Sequence, residues 1–242
     1  MHVAVSLFPG SRKTDSMLFE SAIGCYVVID VLRASSSICT ALGNGAAGVI
    51  PVADVAAARA LRKTGATDVL LAGERDGVRI EGFDLGNSPT EYRHEGVAGK
   101  RVAYASTNGS VAVAGAPPGV ETIVAGFVNL SAAAERISEV GLPTLLVCSG
   151  KLGGYALEDA VCAGALIAKL WEVADDIEPA NDAAYTAQAL WDTYKTDPAR
   201  ALWQSEHGQF LISIGAGSDL GICAEIDSVP VVPTLKNGVL VL

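Results

Sequence analysis

Short apolar runs recur along the chain with little alternation: Cys25 to Ile29, Val49 to Val52, Lys100 to Ala105, Glu121 to Ala125 and Thr144 to Cys148. Runs of this length, rich in β-branched residues, predict strands buried on both faces. His2 to Phe8 and Asp68 to Ala72 read as further strands. Between them lie segments with helical spacing and helix punctuation. Ile38 to Leu42 stops at Gly43-Asn44-Gly45, Val55 to Lys63 follows Asp54 as N-cap, and Leu130 to Val140 and Ala160 to Trp171 complete the set. Strands alternating with helices at this spacing make βαβ units. The expected class is α/β, a three-layer α/β/α fold with a largely parallel or mixed central sheet. A single domain spanning 1–242 is expected, with a helix-rich C-terminal part. Within 175–215, Asn181 to Tyr194, Pro198 to Trp203 and Ser205 to Ile214 read as consecutive helices, and the strand-like Val229 to Pro233 and Gly238 to Leu242 close the chain.

The rhythm breaks between Gly73 and Tyr92, where neither period is visible. Gly73, Gly77, Gly82 and Gly86 recur there, and Glu74, Asp76, Glu81 and Asp84 interleave with Arg75 and Arg79. Ile80, Phe83 and Leu85 can anchor such a segment, so it reads as a functional loop rather than a disordered one. Asn87-Ser88-Pro89 carries the signature of a short helix start.

Chemistry-bearing residues gather where apolar runs end. Cys25 to Ile29 runs into Asp30, then Arg33, then Ser35-Ser36-Ser37 at the predicted N-terminus of a helix. An acid, a base and hydroxyls at the carboxyl end of a central strand suit an anion or metal site; a terminal acid with ordinary serine caps is the plainer alternative. The strand ending at Ala105 runs into Ser106-Thr107-Asn108-Gly109-Ser110 in the same way. The strand ending at Cys148 leads into Ser149-Gly150-Lys151-Leu152-Gly153-Gly154, which matches neither a Walker loop nor a dinucleotide fingerprint. Lys151 is either an anion contact or a solvated loop lysine. Glu158-Asp159 either belongs to the site or complements the helix dipole.

Bulk properties narrow the function. A net charge of -10 and a pI near 4.7 argue against a nucleic-acid partner. Mean hydropathy is +0.36, yet no run approaches the roughly 18 to 20 apolar residues of a membrane span. The excess is assigned to alanine-rich buried helices and to a subunit interface, most simply of a homodimer. Five scattered cysteines without metal-type spacing suit a reduced, cytoplasmic protein, and the N-terminus lacks the order of a signal peptide. His94 and His207 stand next to no nucleophile in sequence, so a Ser-His-Asp or Cys-His mechanism has no local support.

Five blocks in order, Val28-Ile29-Asp30-Val31-Leu32-Arg33-Ala34-Ser35, Gly73-Glu74-Arg75, Gly82 through Pro89, Thr107-Asn108-Gly109 and Leu157-Glu158-Asp159, resemble the signature of the 2-phosphosulfolactate phosphatase (ComB) family. The segment from His207 to Asp227 extends the likeness to essentially the whole chain. The resemblance implies a magnesium-dependent phosphatase of small phosphorylated hydroxy acids. The family reaction converts 2-phospho-3-sulfolactate to 3-sulfolactate and phosphate on the way to coenzyme M. It also implies a fold distinct from the haloacid dehalogenase phosphatases, which carry Asp-x-Asp where this chain has Leu32 in the second position. Asp30, Glu74 and Asp84 are then the expected metal ligands, and Asp30 and Arg33 the catalytic pair, with Asp30 a nucleophile or a ligand only. Ser35, Arg75, Asn87, Ser88, Thr107, Asn108, Gly109, Ser149, Lys151, Glu158 and Asp159 are the expected substrate contacts. A phosphometabolite-binding regulator without turnover is the alternative; it would keep the anion-binding turns but have no use for converging carboxylates.

Overall fold

The computed structural model describes residues 1–8, 23–63, 68–107 and 109–242. At its centre lies β2 (Cys25–Ile29), whose five side chains are all buried. It pairs in parallel with β7 (Glu121–Ala125) on one side and β8 (Thr144–Cys148) on the other, so that Ile29 stands level with Ala125 and Cys148. β1 (His2–Ser6) extends this half beyond β8, followed by the two-residue β9 (Glu178–Pro179). The other half is β3 (Gly48–Pro51), β6 (Arg101–Ala105) and β4 (Val69–Arg75), again parallel, with β5 (Val78–Arg79) antiparallel at the edge.

The hairpin of β10 (Thr234–Lys236) and β11 (Val239–Val241) joins the halves through one pair on each side, Thr234 with Ile123 and Leu240 with Val49. Among the described residues the sheet therefore runs β5-β4-β6-β3-β11-β10-β7-β2-β8-β1-β9. It is mixed, and largely parallel.

Both faces of β2 are covered, which is why its run is continuous rather than alternating. Cys25, Val27 and Ile29 pack with α5 (Leu130–Val140) and α6 (Leu157–Val173). Tyr26 and Val28 pack with Ala34, Ile38, Ala41 and Leu42 of α1 (Ala34–Gly43). A third cluster places Ala58 of α2 (Val55–Lys63) against Val69, Leu71 and Ala103. Each large side chain removed from water here contributes roughly 1.5 to 3 kcal/mol. The three-layer α/β expectation holds. The remaining helices are the short α3 (His94–Val97) and α4 (Gly109–Ala114), then the C-terminal series α7 (Asp182–Tyr194), α8 (Pro198–Gln204), α9 (Glu206–Ser213) and α10 (Ser218–Ala224). The five cysteines are all buried and free.

Three local expectations differ from the structure. Glu74 lies within β4, not on an irregular loop, because Asp76 and Gly77 turn the chain at positive φ and pair Glu74 with Arg79. An Asp-Gly turn between extended segments is a hairpin signal that the glycine-rich context obscures. The C-terminal strand is Thr234–Lys236 rather than Val229 to Pro233, since Pro230 and Pro233 have no N–H for a ladder. Finally, the three serines do not cap α1. The helix begins at Ala34 and buries all three within its first turns.

Candidate active site

Three successive antiparallel pairings through the hairpin set the two parallel halves running in opposite directions, and Thr107 and Gly109, just after β6, contact both halves. Thr107 donates its backbone N–H to Glu74 Oε1 at 2.8 Å, tying the chain after β6 to β4. Gly109 reaches the other half, where a Cβ would lie 2.8 Å from Asp30 Oδ2 and 2.5 Å from the Ala34 Cβ. Only glycine fits so close an approach. The result is a cavity of about 220 Å³ lined by Asp30, Arg33, Glu74, Asn87, Thr107, Lys151 and His207, among others.

Asp30 is held by the turn it opens. Its Oδ1 accepts the Ala34 N–H at 3.1 Å, and its own N–H donates to Ser35 Oγ at 2.9 Å. Ser36 and Ser37 donate to the carbonyls of Val31 and Asn87, so the serines clamp the corner together. Burial pushes the Asp30 carboxyl up to about 6; Glu74 and Glu158 add to the shift, while His207 and the Ala34 N–H oppose it. Glu74 is equally fixed, with Oε2 accepting the Gly77 N–H at 2.9 Å.

Arg33 is buried, but its guanidinium is already engaged. Nη1 donates to Asp219 Oδ2 at 2.7 Å and Nη2 to the Gly77 carbonyl at 2.8 Å. Asp219 Oδ1 in turn accepts from Ser88 Oγ at 2.7 Å, so Ser88 supports Arg33 rather than lining the cavity. Asn87 Oδ1 accepts from the buried Tyr104 hydroxyl. Ser149 donates its backbone N–H to the Ile29 carbonyl at 2.8 Å, joining the ends of β8 and β2. Its Oγ is buried with no hydrogen-bond partner among the described residues.

At the start of α6 two adjacent acids meet different fates. Asp159 accepts the N–H groups of Val31 at 2.8 Å and Gly150 at 3.1 Å, which pins the helix to the end of β2. Burial holds its carboxyl well above the ordinary range, with Glu158 and Asp30 adding to the shift. Glu158 points elsewhere. Its Oε1 lies 3.3 Å from His207 Nδ1, and its Oε2 is buried with no hydrogen-bond partner among the described residues. Lys151 places Nζ 4.5 Å from the centre of the Phe210 ring and 3.5 Å from the Glu206 carbonyl.

The structure thus brings Asp30, Arg33, Glu74, Asn87, Thr107 and Lys151 to one cavity. It does not bring Asp84 there. Asp84 accepts from Arg62 and from the Leu71 N–H at 2.8 Å, tying its loop to α2 and β4 at the sheet edge. Arg75 donates to the Glu74 carbonyl and is absent from the cavity wall. Ser149 and Asp159 brace the strand ends behind that wall, and Glu158 meets it through His207. Ser35 is fully buried beneath Asp30, and Asn108 lies outside the described residues. Among the described residues no group of three or more His, Cys, Asp or Glu side chains is arranged to hold a metal ion, so the expected Asp30-Glu74-Asp84 trio does not form. Asp30 and Glu74 remain as two hard oxygen donors on one cavity, a set that suits magnesium, which keeps waters and takes one or two carboxylates.

Among the cavity and support residues outside the expected set are three that lie far along the chain, His207, Asp219 and Phe210. All three come from the C-terminal helices, and only their place within the familial His207 to Asp227 segment marks them.

The profile of the 2-phosphosulpholactate phosphatase family matches residues 13–238. The chain belongs to that family. It is 42% identical to a probable 2-phosphosulfolactate phosphatase of Thermotoga petrophila over 216 residues, 89% of this chain and 91% of the relative. A protein of the same description from Gloeobacter violaceus is 39% identical over 222 residues, covering 91% and 92% of the two chains. One from Caldanaerobacter subterraneus is 39% identical over 214 residues, covering 88% of each. The matched span contains the whole cavity wall.

Proposed function

We propose that this family member is a magnesium-dependent phosphoric monoester hydrolase that converts 2-phosphosulfolactate to 3-sulfolactate and phosphate. The observation that carries the reading is the cavity itself, where buried carboxylates and two cationic side chains meet in about 220 Å³. That volume is below the roughly 300 to 1,000 Å³ of pockets for drug-sized ligands and suits a small metabolite. Its relatives are named for the same substrate.

Asp30 and Glu74 would hold the magnesium ion. Bound there, it would neutralise phosphate charge and polarise the phosphoryl oxygens. The protein's own part is positioning and electrostatics. Arg33, with two of its five N–H groups committed to Asp219 and Gly77, keeps donors for an anion while its orientation is locked. Lys151, also on the cavity wall, supplies a second cation, suited to a substrate with carboxylate and sulfonate as well as phosphate. Gly109, with no side chain, lets the chain after β6 close directly against Asp30.

Phosphate release from 2-phosphosulfolactate tests the reading. Turnover is expected to vanish in excess chelator and return with added magnesium. Undiminished turnover in chelator removes the metal from the reading. A ligand-induced thermal shift with no phosphate release under any condition leaves a binding protein instead.

A further inference from the structure

The ester to be cleaved has a poor leaving group. An alkoxide of a 2-hydroxy acid departs slowly unless it is given a proton as the bond breaks, an assistance worth typically about 10²- to 10⁴-fold. Arg33 and Lys151 are given to anion binding, and Asp30 and Glu74 are committed to backbone N–H groups and to the metal reading. His207 is the histidine on the cavity wall, and imidazole is the side chain best suited to proton transfer near neutral pH.

Its placement is built rather than incidental. Glu158, 1% exposed, sets Oε1 3.3 Å from His207 Nδ1, which leaves Nε2 as the remaining nitrogen of the ring. Glu158 cannot drift, because Asp159 beside it is bonded through both oxygens to Val31 and Gly150. His207 sits in the first turn of α9, where Ser205 Oγ accepts the Gly208 N–H at 2.9 Å. At Gly208 a Cβ would lie 1.8 Å from the Leu202 carbonyl oxygen, so α9 is pressed onto the end of α8 as only glycine permits. A buried carboxylate on one imidazole nitrogen, with the ring facing a reaction cavity, is the arrangement that orients a histidine for proton transfer.

We propose that His207 is the general acid of the reaction and that Glu158 is its positioning residue. The assignment rests on the phosphatase reading above. The bond between phosphorus and the C2 oxygen breaks with its electron pair on that oxygen, which takes the proton from His207 Nε2. Water supplies the hydroxyl that phosphorus gains and releases its other proton to solvent, from which His207 is reprotonated.

The test compares two small phosphates that differ in leaving group: 2-phosphosulfolactate, and acetyl phosphate, whose carboxylate departs without a proton. With magnesium present, His207→Asn is expected to lower kcat on 2-phosphosulfolactate by about 10²-fold or more. The loss on acetyl phosphate is expected to be smaller by about tenfold or more. Glu158→Gln is expected to show the same selective loss to a lesser degree, and it carries the test alone where circular dichroism shows that His207→Asn does not fold. Equal losses on the two phosphates, or retained turnover of 2-phosphosulfolactate, overturn the assignment while the phosphatase reading stands. Failure of the unsubstituted protein to release phosphate from 2-phosphosulfolactate overturns both.

Discussion

Asp30 and Asp84 each stand in a familial block, yet the corner around one and the loop around the other are built for different ends. At the Asp84 loop, a carboxylate with 38% of its side chain exposed meets Arg62 and one backbone N–H. Solvent shares that work, and the pair does no more than fasten a loop to the sheet edge. At the Asp30 corner, Asp30, Glu74 and Glu158 are all buried, and the two glutamates raise the proton affinity of the aspartate. Like charges gathered out of water oppose folding. A corner kept in that state marks a place where something other than stability has shaped the residues. The same division separates neighbours in sequence. Asp159 has both oxygens satisfied, and Glu158 has one without a hydrogen-bond partner among the described residues.

The sharpest way to break the comparison is Asp30→Asn. The amide keeps an oxygen for the Ala34 N–H and removes the charge that burial opposes. Because the folded-state carboxyl is raised to about 6, its ionised form at pH 7 disfavours the fold, and the neutral amide escapes that cost. Turnover is expected to fall about ten-thousandfold, roughly 5 kcal/mol. The metal-free melting temperature is expected to stay level or rise, and the stabilisation by added magnesium to shrink. A clear drop in metal-free stability with an unchanged magnesium shift would make Asp30 a structural acid like Asp84.

Next in size is Asp219→Ala, which strands the buried Arg33 guanidinium. Arg33 and Asp219 are 5% and 4% exposed, and removing one partner of such a pair costs about 3 to 5 kcal/mol. Urea unfolding curves read this directly. A loss under about 1 kcal/mol would place the pair with the surface ones.

The smallest effect belongs to Arg62→Ala, which breaks the ion pair at Asp84. A half-exposed pair is worth about 0 to 1 kcal/mol, and turnover is expected to stay within about twofold of the parent. A larger loss of activity would return Asp84 to the catalytic side of the comparison.

Much of this protein was legible in its residues. The continuous run from Cys25 to Ile29 predicts a doubly covered central strand, and strand-helix alternation predicts the layers, because burial on both faces is written in local periodicity. The acid, base and serines after that strand predict a functional corner, while the contact of Gly109 with Asp30 comes from the structure alone. What the chain's order could not decide is which distant groups meet. Glu74 and Asp84 share one short stretch, and only strand register sends Glu74 to the cavity and Asp84 to the sheet edge. His207 shows the reverse. It has no nucleophile near it in sequence, and it reaches Glu158 only because α9 is pressed onto α8 at Gly208. Periodicity reports how each element presents its faces to the core. It carries no information on how helices far along the chain fold back over a strand end, which is set by packing summed over the whole molecule.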